Sequence, residues 1–142
     1  MATPSQNPNI VNVTIIKGNT AYIVSSGTTA TTNWTADGAS GGATSLTGLT
    51  PATATVNKID NIVVSNTSSS AVNCTVEISN NSTFASGTKY AIVSAVSIPP
   101  NASLIVTDKT TGFYVTENQS VGLTAGTTGG VLTAIASFEA IT

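Results

Sequence analysis

The chain contains no histidine and no arginine, and only one cysteine (Cys74), one tryptophan (Trp34) and one methionine among its 142 residues. Without histidine, the commonest acid/base catalyst, the usual zinc ligand and every nucleophile–histidine pair are excluded. A lone cysteine excludes an intrachain disulfide. Charged side chains make up 7% of the chain, four Lys against six Asp and Glu, for a formal charge of −2. No basic field exists to hold a phosphate backbone, so nucleic acid is not an expected partner. Runs of 18 apolar residues are also missing, so no transmembrane helix and no membrane partner are expected. Residues 1–9 have neither a basic start nor an apolar stretch, so a classical secretion signal is not expected.

What is present is strand and turn chemistry. The chain carries 26 Thr, 17 Ser and 13 Asn, with 14 Val and 12 Ile against only five Leu. β-branched residues favour strands, while Asn, Ser and Gly favour turns. With 40% hydrophobic residues the composition is too apolar for a disordered chain. A single domain spanning 1–142 is expected, and at this size it should bury roughly 68–70% of its unfolded surface.

The clearest periodicity is Val72-x-Cys74-x-Val76-x-Ile78, with polar residues on the other parity, which predicts a strand with one buried face. Tyr90, Ile92, Val96 and Ile98 repeat it after a long polar hairpin loop, and Pro99-Pro100 stops that strand. Further strands are expected around 104–106, 113–115 and 120–124, and from Thr53 to Ser65. A last strand over 131–141, apolar on both parities, predicts a central or interface position. Near the N-terminus, 10–16 and 22–24 read as strands flanking a Lys17-Gly18-Asn19 turn. About eight or nine strands at this spacing predict an all-β antiparallel sandwich, jelly-roll-like or immunoglobulin-like.

Residues 26–50 break the rhythm as a long Gly/Thr-rich loop around Trp34, longer than structureless loops usually run. Trp34 reads either as a plug at one end of the sandwich or as an anchor in a neighbour's pocket. Cys74 reads as core packing, flanked by Val72 and Val76. The acids are scattered singly and read as turn and cap residues; Asp108 and Glu117 alone are expected to approach each other across a hairpin. Asn-x-Ser/Thr occurs eight times in a chain rich in all three residues, and glycosylation is the weaker reading. No cofactor, metal or catalytic residue is expected.

From Ile62 to Thr142 the chain resembles small virion structural proteins of tailed bacteriophages, the head-decoration and accessory proteins of marine phages and cyanophages. The resemblance rests on Ile62-Val63-Val64-Ser65-Asn66 before the alternating strand, on Ile98-Pro99-Pro100-Asn101 leading into Leu104-Ile105-Val106, on Asp108-Lys109 followed by Tyr114-Val115-Thr116-Glu117, and on Ser137-Phe138-Glu139. Asn118-Gln119 stands where that family tends to have a Gly-Asp turn. The resemblance implies a non-enzymatic head-decoration or cement protein, located in the virion after assembly in the host cytoplasm. A neck, tail or fibre component is the alternative. Its partners would be the major capsid protein or other virion proteins, and it would form a homo-oligomer, a trimer by resemblance. Trp34, Ile10, Val11, Val13 and Phe138 are the candidate subunit contacts, with residues 1–9 as an arm reaching a neighbour.

Overall fold

A computed structural model describes residues 15–37 and 43–142. It is all-β, and ten strands lie among the described residues: β1 (Ile16–Val24), β2 (Asn33–Asp37), β3 (Ala43–Thr47), β4 (Val56–Asn66), β5 (Val72–Ser79), β6 (Lys89–Ile98), β7 (Ser103–Thr107), β8 (Phe113–Val115), β9 (Ser120–Ala125) and β10 (Leu132–Ile141). They form two antiparallel sheets packed as a sandwich. The large sheet runs β3-β2-β1-β10-β4-β7, with β8 beside the first half of β4; the small one runs β6-β5-β9.

Strand β10 is central, as its two apolar parities require. It pairs with β1 from Ile16↔Ile141 to Val24↔Thr133 on one side and with the whole of β4 on the other. Leu132, Ala134, Ala136 and Phe138 point into the core, while Ile135 points out. Both β10 and β5 keep the period-two pattern because each has neighbours on both edges to hold its register. In β5, Val72, Cys74 and Val76 are buried and face Val64, Leu132 and the other apolar side chains of one continuous core.

Three expectations are corrected. The Lys17-Gly18-Asn19 segment is not a turn: β1 passes straight through it, with Gly18 opposite Glu139. Nine cross-strand pairs with β10 outweigh the turn preference of Gly and Asn. The stretch 26–50 is not a single irregular loop, since β2 and β3 form within it and extend the large sheet through Ala21↔Ala36 and Tyr22↔Thr35. This raises the strand count above eight or nine. Finally, β6 does not present one apolar face. Its pairing with β5 shifts twice between Cys74 and Glu77, leaving extra residues on β6, and Ala95 there takes φ 50° while its amide donates to Thr75 Oγ1 at 2.9 Å. These bulges re-aim the side chains, so Tyr90 is exposed and Ile92 and Val93 are each half-buried.

The free edge of β9 is stitched by backbone bonds to the chain before β2 and after β3. Thr31 exchanges both bonds with Leu123 (2.8 and 3.0 Å), Val121 N donates to Gly48 O at 2.7 Å, and Ala125 N donates to Gly27 O at 3.1 Å. Covering an edge in this way satisfies groups that would otherwise template aggregation. Gly48, at φ 65°, turns where an added Cβ would collide with Ser120, so glycine is required there. Asn66, buried at the end of β4, closes the far end of the sandwich: its Nδ2 donates to Ser70 O (2.8 Å) and Ile98 O (3.0 Å), and its Oδ1 accepts from the amide of Ser68 at 3.0 Å.

Candidate functional site

The candidate contact residues fall into two groups. Ile10, Val11, Val13 and the arm 1–9 lie outside the described residues. Trp34 and Phe138 lie inside the protein's own core, at 1% and 3% exposure, and this corrects their reading as subunit contacts. Trp34 is the plug. Its indole sits on β2 of the large sheet, and Nε1 donates to Val121 O of the small sheet at 3.2 Å, tying the two layers together. The reason is register: Trp34 faces Leu46 across the β2–β3 pair on the inward parity.

Cys74 is fully buried, and desolvation pushes its thiol up to about 11, away from nucleophilic use. Asp108 is a turn residue. Its Oδ1 accepts from the Thr110 hydroxyl (2.6 Å), the Thr110 amide (2.9 Å) and the Thr111 amide (3.2 Å). The Thr110 hydroxyl, then its amide, holds the carboxyl below its ordinary value. Glu117 instead accepts from the Ala54 amide at 3.3 Å. Among the described residues, no three His, Cys, Asp or Glu side chains gather as metal ligands would. Asn66, Asn80 and Asn81, three of the Asn-x-Ser/Thr positions, use their side chains in internal hydrogen bonds.

Two surfaces stand out. The first is the outer face of the large sheet. Tyr22 on β1, Ile135 on β10, Val63 on β4 and Ile105 on β7 stand in register side by side. They form an apolar stripe across four strands, about 14 Å long at ~4.8 Å per strand. Exposure is 41% for Tyr22, 54% for Ile135 and 67% for Ile105. The adjacent row is Val24, Thr133, Ser65 and Ser103, where Ser65 and Ser103 bond each other at 2.7 Å. Charge enters only further along, where Lys58 pairs with Asp60 (3.3 Å) and Glu139 (3.4 Å) and Tyr114 stands opposite Lys58. Bonds first to Asp60 and then to Glu139 hold the ammonium above its ordinary value.

The second surface is an open cleft of about 350 Å³ between residues 29–32, Thr47 and the β5–β6 loop. A 3-10 turn over Phe84–Ser86 shapes that loop, and Phe84 packs on Gly122, whose missing Cβ leaves room for the ring. Val121 and Leu123 on either side of Gly122 face the core, so Phe84 lies on the outer side of the small sheet. Lys89 stands over the Phe84 ring at 5.2 Å. Phe84 went unnoticed in sequence because the loop around it is polar; the small residue at Gly122 within an apolar strand was the available signal. Neither surface depends on the candidate residues read from sequence. No family model, no curated protein and no solved structure matches this chain.

Proposed function

We propose that this chain is a non-enzymatic structural protein of a virion, a head-decoration protein that docks on the assembled shell through the outer face of its large sheet. The observation that carries the reading is the stripe of Tyr22, Ile135, Val63 and Ile105, bordered by Thr and Ser rather than by charge. Monomeric proteins seldom leave an apolar row across four adjacent strands without a use for it. An interface of standard size would cover about 800 Å² on this chain, near a tenth of its 7963 Å² surface. The partner is an uncharged protein surface of apolar and hydroxyl-bearing side chains, in keeping with the major capsid protein that the resemblance implies, with avidity from many copies. A homo-oligomer, trimeric by resemblance, would present several such faces at once.

Immunogold electron microscopy with antibodies to this chain, on particles of the source virus, tests the reading. Gold distributed over the heads supports it, gold at the neck or tail replaces it with the alternative virion role, and particles without gold overturn it. The Ile105→Glu, Ile135→Glu double variant should fold and lose attachment, because both side chains already face water in the isolated protein.

A further inference from the structure

We propose that the free edge of β6 pairs antiparallel with β6 of a second copy, joining two three-stranded sheets into one of six strands across a two-fold axis. An edge strand turns every second amide and carbonyl away from its single neighbour, and those groups are a template for another strand. The outer edges of the two sheets differ in how they are protected. That of β9 is stitched to residues 27–31 and 48. Strand β3 has only five residues, and the β7–β8 edge is broken into strands of five and three by the Asp108 turn. Strand β6 has ten residues, and from Tyr90 to Ile98 it holds no charge and no proline. Apart from Ile98 O, which accepts from Asn66 Nδ2, no backbone group of β6 bonds to any element but β5 among the described residues.

The side chains point the same way. Directly opposed residues share one face of a sheet. Val96 stands opposite Cys74 and Val93 opposite Val76, both fully buried, yet Val96 is 37% exposed and Val93 half-buried. Tyr90, opposite half-buried Ile78, is 56% exposed. These side chains lie on the core parity but at the limit of the cover that the sandwich supplies, because the small sheet stops at β6. One more strand beside β6 covers them. Charge and twist select that strand. The edge offers a partner one cation, Lys89 at its first residue, so a charged strand finds no complement along 90–98. A second β6 brings the same uncharged row, and antiparallel pairing sends the two Lys89 side chains to opposite ends. The bulges at Ile92 and at 94–95 increase the twist of β6, and an identical strand carries the same twist. The contact is isologous and closes at two copies. It uses no residue of the apolar stripe, so a pair still offers two stripes for docking, and it does not rest on the virion reading.

Sedimentation equilibrium of the whole chain over a concentration series tests the contact. One strand pair with its flanking side chains is at the small end of interface sizes, so a monomer–dimer equilibrium with Kd of about 10–100 μM is expected. Amides of β6 should exchange with deuterium more slowly at high concentration than at low, while those of β3 and β7 stay unchanged. Full overlap of the two strands puts the axis between Val93 and Ser94. Ser94→Lys, at an exposed position, therefore sets two like charges close together and should raise Kd by about tenfold or more, whereas Ile105→Ser with Ile135→Ser should leave it unchanged. Unchanged thermal melting shows that each variant folds. A chain that stays monomeric up to about 1 mM, growth beyond two copies, β6 exchange independent of concentration, or dimers that Ser94→Lys leaves intact would each overturn the proposal. Loss of gold labelling on virus heads would leave these results untouched, so the two readings fail separately.

Discussion

The indole of Trp34 joins the two sheets by a hydrogen bond as well as by volume, and the two contributions separate by substitution. Trp34→Phe keeps most of the packing but leaves Val121 O without its donor, which should cost about 1–3 kcal/mol. Trp34→Ala also opens a cavity and should cost about 3–5 kcal/mol, read from urea midpoints by circular dichroism. A Trp34→Phe variant as stable as the parent would show that the bond contributes nothing. Cys74 offers a second test at this scale. Its thiol ionises near 9.0 when unfolded and at about 11 in the core, because burial penalises the thiolate. A raised folded value means that its contribution to stability is fully present below pH 9 and disappears as pH rises toward 11. The native protein should therefore resist a thiol reagent at pH 8 and react in urea; prompt native reaction would contradict the burial. Cys74 was legible in sequence because Val72 and Val76 share its parity. Trp34 stayed open between plug and anchor because that choice depends on a strand pair, β2 with β3, in a stretch that local pattern reads as loop.

Among the elements, legibility follows the number of paired edges. Strands β5 and β10, each with two neighbours, show clean alternation in sequence and keep it in the fold. Strand β6, at the edge of the small sheet, loses its alternation to bulges. The long β1–β10 ladder overrides the turn residues of 17–19. Local propensity decides little where many cross-strand pairs accumulate, and more where one edge is free. The β6 bulge makes this testable. Ala95 holds φ 50°, a region unfavourable to a side chain, so Ala95→Gly should leave stability unchanged or raise it by up to about 1 kcal/mol, while Ala95→Val should lower it. The β5–β6 loop is fastened at Gly122, where an added Cβ would lie 2.8 Å from Cζ of Phe84. Gly122→Ala should push the ring out and cost about 1–3 kcal/mol. The loop should then be cut by protease faster than in the parent, with both far below their unfolding midpoints so that cleavage reports local opening; unchanged cleavage would show that Phe84 does not hold it.

At the scale of the whole molecule, low charge decides which forces can act between this chain and anything it meets. With four Lys and six acids in 142 residues, and with Lys58, Asp60 and Glu139 already satisfying one another on the large sheet, few charges remain to attract a partner. An ion pair with a solvent-facing ammonium of this kind adds little and is weakened by salt. Burying the stripe contributes at about 25 cal/mol for each Å² of apolar surface, and that term does not weaken as salt is added. Raising NaCl shortens the screening length from about 10 Å at 0.1 M to about 3 Å at 1 M, which removes electrostatic attachment and spares apolar attachment. If the chain decorates heads as proposed, it should therefore stay on them through a wash in concentrated NaCl, measured as copies per particle by quantitative gel analysis. Lys58→Met should change that number little, whereas Ile105→Ser with Ile135→Ser should reduce it severalfold. Release by salt with the serine variant still attached would place the contact on the Lys58 cluster and remove the apolar stripe from its role.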